Sequence, residues 1–420
     1  MFAKFIPHTV RPWIMWSLPL LFFAYQFILR LWPSLTMQQI MQQYQIDATS
    51  FGLLSAMYYF GYAGMQIPVA ILLDRYNPRY IVAAFAILAG IASLIFTYSD
   101  HWIFALTGRF LIGLASAAGF LATSKAVSLY FPENRYGRMI GFTFSFGLLG
   151  AIYGGRPVNS MIETFGFRET SELIAVAGIV IGLLCLMIYR MPYQERVIQA
   201  ETPFTFTNFK KITGHPGLLV LAVANLLMVG ALEGFADVWG VTFLVTTYDV
   251  PKDAAAGMIS FIYFGMLFGG PILAFFSEKL GGPKVIMACG TGIAFIFTIV
   301  LFICSSLNPY ILQALFFITG ILCCYQVVIF ATCAAAIHPL LLGMTIAFMN
   351  SVNMFGGSFF HSIIGYIVDL FWQGDINTAG CRLYSSDAYV YSLLVIPVCA
   401  LLGGLLVLFV KTPSSDARSV

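Results

Sequence analysis

The chain has 420 residues, of which 60% are apolar and 9% charged, with a formal net charge of +3. Soluble domains carry about 25% charged residues, so this composition cannot cover a water-facing surface and excludes a large soluble protein. It also offers no basic face for nucleic acid and no phosphate loop, HExxH helix or nucleophile elbow for an enzyme.

Lys4 and Arg11 precede a long apolar run, and no small-residue cleavage site closes a short one, so that run is expected to be the first span. Twelve runs are long enough to cross a bilayer, beginning near Trp13, Phe51, Tyr80, Trp102, Gly137, Leu173, Gly217, Ala254, Val285, Pro309, Leu341 and Tyr389. The most polar stretch between them follows Arg190 and divides the spans six and six. The expected architecture is all-α: a six-helix half over 1–190, a cytoplasmic linker over 191–215 with short amphipathic pieces, and a second six-helix half over 216–420.

With both termini cytoplasmic, fourteen Lys and Arg fall on the cytoplasmic side, among them Arg75, Arg79, Arg135, Arg138, Lys279 and Lys284. Three, namely Arg168, Lys252 and Arg382, fall opposite, and the outward loops hold ten acids. This asymmetry satisfies the positive-inside rule. Compact loops point to a bacterial inner membrane. Seven of the eight cysteines lie in apolar runs, Cys381 lies in a loop, and none has metal-ligand spacing, so neither metal nor cofactor is expected.

Two passages repeat. Tyr59-Phe60-Gly61 is followed thirteen residues after its glycine by Asp74-Arg75, and Tyr263-Phe264-Gly265 is followed at the same spacing by Glu278-Lys279, an offset of 204 residues. Each acid–base pair precedes a turn residue, Asn77 or Gly281, and another base, Arg79 or Lys284. A duplicated membrane half accounts for both copies.

On these residues the chain resembles the major facilitator superfamily. The stretch from Ala70 through Asp74-Arg75 to Arg79 is similar to that family's loop signature between spans two and three, with Ala70 and Asn77 in place of glycine. Asn tolerates the left-handed conformation, so the turn is expected to survive at Asn77. Arg109 and Gly113, with Gly119, resemble the arginine-and-glycine motif of span four. Gly150 to Gly155 resembles the glycine-rich antiporter motif, with Ala151 where proline is expected, and Arg156 to Asn159 faintly resembles the lysosomal dipeptide transporter branch and its bacterial relatives.

The resemblance implies a twelve-helix transporter, expected as a monomer, working by rocker-switch alternating access. It also implies cytoplasmic gates at Asp74, Arg75, Arg79, Glu278 and Lys279. Asp74 is expected beside the start of span eleven near Leu341, where a helix N-terminus attracts a carboxylate. Arg75 and Arg79 are expected to pair with acids such as Glu133.

Six ionisable residues other than His are expected within spans: Arg30, Arg109, Lys125, Arg156, Glu233 and Asp237. A charge at the bilayer centre costs at least about 2.5 kcal/mol, so these residues must face a wet cavity or one another. Four bases against two acids leave an excess of two positive charges, which an anionic or zwitterionic solute would complement. Arg30 is expected at the depth of Glu233 and Asp237, which share a helix face, and to pair with one of them. Those two acids are the candidate proton carriers. Arg156, after Gly154-Gly155, is a candidate carboxylate grip. Arg109 and Lys125 are weaker candidates that can snorkel toward the span ends.

Polar and aromatic stripes complete the candidate cavity: Tyr58 or Tyr59, Tyr62 and Gln66 on span two, Tyr263 on span eight, Gln326 on span ten, and Asn350, Asn353 and His361 on span eleven. The expected function is secondary transport of an amino acid, short peptide or organic acid, with proton symport as the candidate coupling. The alternatives are a polyspecific drug or siderophore exporter and a non-transporting receptor or scaffold.

Overall fold

In hydrocarbon every backbone N–H and C=O must find its partner within the protein, and a helix does this within one segment. The computed structural model, which describes residues 9–190, 206–303, 308–337 and 341–410, is accordingly helical through its apolar runs. Among the described residues ten helices are long and apolar enough to span: α1 Arg11–Leu35, α2 Ala48–Arg75, α3 Pro78–Tyr98, α4 Trp102–Tyr130, α6 Phe167–Ile188, α7 Pro216–Tyr248, α8 Lys252–Leu280, α9 Gly282–Phe302, α10 Pro309–Ala336 and α12 Ser386–Phe409. Two more long helices carry more polar residues: α5 Glu133–Gly154 and α11 Leu342–Leu370. They complete the twelve-helix all-α architecture.

Several spans depart from an uninterrupted, regular α-helix. Pro19 and Pro33 lie inside α1. A one-residue turn at Ala117 divides α4, and Cys324 divides α10. In α7 a 3-10 turn over Val229–Ala231 leads into a π-helical stretch over Leu232–Trp239.

The chain divides into two compact units, Met1–Ile46 with Leu53–Pro203, and Asp47–Gly52 with Phe204–Val420. Of the linker expected over 191–215, residues 191–205 lie outside the described residues, and Phe206–Thr213 forms a short amphipathic helix. Within the first unit α3 packs along α6 and α1 along α5; within the second α9 packs along α12 and α7 along α11.

The repeated Tyr-Phe-Gly passages acquire a physical reason here. A Cβ added at Gly61 of α2 would overlap the Phe110 carbonyl oxygen of α4, and one added at Gly265 of α8 would overlap the Phe317 carbonyl oxygen of α10. Facing them, Gly113 meets the Tyr58 carbonyl and Gly320 the Ile262 carbonyl in the same way. Lipid tails are as apolar as leucine, so such close backbone crossings are what hold spans together. Large side chains such as Ile103, Phe268 and Phe295 point outward, exposed, as a lipid-facing surface requires.

The turns that follow the two copies are built differently. Gly281 adopts φ +88°, the left-handed region that favours glycine. Asn77 was expected to do likewise and does not: its φ is −65°, and its side-chain oxygen accepts from the Arg79 N–H at 3.0 Å, capping α3.

Candidate functional site

In the first unit, α1, α2 and α4 gather one polar cluster. Gln26 and Arg30 stand one turn apart on α1, and both are buried, Arg30 with 8% of its surface exposed. The Arg30 guanidinium carbon lies 5.0 Å from the Phe27 ring centroid and 5.7 Å from that of Tyr59. Rings against the guanidinium supply cation–π attraction of about 2 kcal/mol when desolvated. The Tyr58, Tyr62 and Gln66 face expected on α2 is present and buried, with the Tyr58 and Tyr62 rings stacked at 6.1 Å. The Gln66 amide nitrogen and the Gln26 amide oxygen are both buried without a hydrogen-bond partner among the described residues.

Arg109 does not snorkel. It is 1% exposed, donates from Nη1 to the Leu29 carbonyl at 2.5 Å and from Nη2 to the Arg30 carbonyl at 2.9 Å, and lies over the Tyr58 ring at 5.0 Å. Arg156, expected toward the outer end of span five, follows a one-residue break at Gly155 and opens a short helix, Arg156–Phe165, as an exposed residue. Two glycines in succession weaken a helix, and the proline after Arg156 takes the first turn of the next one.

In the second unit the buried charges are acidic. Glu233 is 2% exposed and Asp237 0%, and both sit on the π-helical stretch of α7. The Tyr263 hydroxyl of α8 donates to Asp237 Oδ1 at 2.5 Å. His361 of α11 donates from Nε2 to the Glu233 carbonyl oxygen at 2.6 Å, since a carbonyl can only accept. Gln326 Nε2 donates to Asn353 Oδ1 at 3.2 Å, joining α10 to α11, while Asn350 stands half-buried one turn earlier. The structure therefore brings together Asp237 with Tyr263, Glu233 with His361, and Gln326 with Asn353.

Two polar nodes of this unit were not singled out in the sequence. Asn225 of α7 is fully buried, donating to the Met349 carbonyl at 3.2 Å and accepting at its own carbonyl from the Tyr325 hydroxyl at 3.2 Å. Asp369, near the end of α11, accepts from the Thr49 N–H at 2.6 Å, the Thr49 hydroxyl at 2.5 Å, the Tyr384 hydroxyl at 2.5 Å and Arg382 Nη1 at 3.1 Å. An acid in the last turn of a helix opposes the helix dipole, and this was the available signal that Asp369 needs donors. Burial and the adjacent Asp369 push the Tyr384 phenol above its ordinary range, which keeps it a donor.

The loop residues expected as gates separate. Asp74 pairs with Lys125 of α4 at 3.0 Å, with the Asp74 side chain largely exposed. Arg79, expected to meet acids such as Glu133, instead donates from Nε to the Leu186 carbonyl at 2.6 Å, capping the last turn of α6; the Glu133 side chain lies outside the described residues. Lys279 lies over the Phe275 ring at 4.2 Å, while Arg75 and Glu278 are exposed.

Residues 16–360 match the profile of the Major Facilitator Superfamily. Among curated relatives, an uncharacterized transporter of Bacillus subtilis, YybO, is 25% identical over 263 residues, 57% of this chain and 60% of the relative. A probable sulfoacetate transporter of Cupriavidus necator, SauU, is 23% identical over 36% of this chain and 35% of its own. A probable galactarate/D-glucarate transporter of Bacillus subtilis, GudP, is 23% identical over 41% and 39%. The chain thus spans 60% or less of the length of each of these relatives. Among solved structures, a bacterial homologue of the human lysosomal transporter Spinster, in an inward-facing occupied conformation, covers 97% of this chain and 98% of its own at a TM-score of 0.75 and 16% identity. That likeness bears on the fold.

Proposed function

Because the chain belongs to the Major Facilitator Superfamily, we propose that it is a secondary active transporter of a small organic anion, working by alternating access with both termini cytoplasmic in a bacterial inner membrane. The observation that carries the substrate class is Arg30. A buried guanidinium flanked by Phe27 and Tyr59 brings a fixed positive charge and a planar donor fork whose geometry matches a carboxylate or sulfonate. Two relatives are named for sulfoacetate and galactarate or D-glucarate, all of them anions, which supports an organic acid over a neutral or cationic solute. Amino acids and short peptides share the carboxylate and belong to the same class.

Arg30, Tyr59 and Tyr62 are the anion-binding candidates of the N-terminal half, and Tyr263, Gln326, Asn350 and Asn353 are, separately, the polar substrate-binding candidates of the C-terminal half. Arg156, exposed at the end of α5, is a secondary anion contact. Glu233 and Asp237 carry the coupling proton: they are the buried acids of α7, and a π-helical stretch in a span frequently marks a functional position. Asp74, Arg75, Arg79, Glu278 and Lys279 act at the cytoplasmic gates, where exposed ion pairs such as Asp74–Lys125 are cheap to break.

Counterflow in proteoliposomes tests this. D-glucarate, sulfoacetate, a dipeptide and an organic cation are compared at two pH values in wild type and Arg30→Met. Uptake of an anion or zwitterion, accelerated by an inward proton gradient and lost in Arg30→Met, is expected. Uptake confined to the cation sinks the substrate class.

A further inference from the structure

We infer that Arg109 is a positioning residue that holds Arg30 in place by bridging a proline-broken turn of α1. In a regular helix the Leu29 carbonyl accepts from the N–H of residue 33, but residue 33 is proline and has none. Arg109 occupies that vacancy from another helix: Nη1 reaches the Leu29 carbonyl at 2.5 Å, and Nη2 reaches the Arg30 carbonyl at 2.9 Å. The planar fork of a guanidinium suits two successive carbonyls, and an ammonium does not.

The other side of the same turn is held from α2. Tyr58, whose ring lies 5.0 Å from the Arg109 guanidinium, directs its hydroxyl toward the Gln26 carbonyl at a long 3.5 Å. Gly113 lets this happen, because any side chain there would overlap the Tyr58 carbonyl. The turn Gln26–Arg30 therefore has its backbone held from α2 at one end and from α4 at the other, and the side chain it presents is Arg30.

The functional consequence rests on the assignment of Arg30 as the anion contact; the mechanical one does not. Arg109→Gln, Arg109→Lys, Pro33→Ala and the double variant Arg109→Gln with Pro33→Ala are reconstituted. Uptake is read with D-glucarate and sulfoacetate as probes, and hydrogen exchange of the 26–36 segment is followed in nanodiscs without ligand. Arg109→Gln is expected to raise KM about tenfold while kcat stays within about threefold, and to speed exchange in that segment. Pro33→Ala restores the missing N–H, so the double variant is expected to return KM and exchange to within about threefold of wild type. A double variant as impaired as Arg109→Gln overturns the inference and makes Arg109 a direct substrate contact; so does unchanged exchange in Arg109→Gln. Should the Gln variant not fold, Arg109→Lys, which retains charge but not the fork, is held to the same criteria. If wild type carries neither probe, the anion assignment fails, and the exchange result alone decides the role of Arg109.

Discussion

Gly61 of α2 and Gly265 of α8 do the same work in their respective halves, each admitting the backbone of the span two further along. The buried Arg, Lys, Asp and Glu residues differ between the two halves: among the described residues they are Arg30 and Arg109 in the first and Glu233 and Asp237, beside the buried His361, in the second. The matched crossings depend on the absence of side chains, whereas the interior positions of the two units carry different side chains. The scaffold is shared and the chemistry is divided.

That contrast can be broken most sharply at the shared crossings. Gly265→Leu and Gly61→Leu are each expected to destabilise the detergent-solubilised protein by at least about 3 kcal/mol, because backbone, which cannot yield, occupies the space. Thermal unfolding of both variants checks this, and an unperturbed Gly265 variant would mean that the halves do not share their crossing. Next comes the acidic half. Asp237→Asn is expected to slow uptake about tenfold and to abolish its pH dependence, whereas Tyr263→Phe, which removes only the donor to Asp237, is expected to slow it less. Uptake rates at several pH values distinguish the two.

Asp369→Asn leaves the donors Thr49, Tyr384 and Arg382 facing a neutral amide and is expected to cost about 2 kcal/mol in thermal unfolding. The smallest effect belongs to Lys125→Gln: its pair with the exposed Asp74 is worth no more than about 0.5 kcal/mol, so a change in transport rate without a change in stability would mark it as part of a gate.

What the sequence reveals and conceals follows from how far each feature reaches. The spans and the Tyr58, Tyr62 and Gln66 face were legible because apolar length and helical spacing are local properties. Asn77 was read as tolerating a left-handed turn because the family signature it resembles has glycine there, yet a side-chain cap serves the same turn without positive φ. The break at Gly155 was not foreseen because nothing local told whether Gly154-Gly155 would merely weaken the helix or interrupt it. The roles of Arg109 and Asp369 were illegible for another reason. Arg109 is committed to carbonyls on a helix 79 and 80 residues away, and Asp369 to a threonine 320 residues away; no periodicity encodes such partners. The π-helical stretch that carries Glu233 and Asp237 has no signature in its composition.

The central claim is that Arg30 grips the anion with its guanidinium fork. Its most direct test is calorimetric titration of the anion found by counterflow into wild type, Arg30→Lys and Arg30→Met, with thermal unfolding confirming that all three are folded. Affinity is expected to fall about tenfold in the Lys variant, which keeps the charge and loses the fork, and about a hundredfold in the Met variant. Equal affinity in all three proteins would contradict the account.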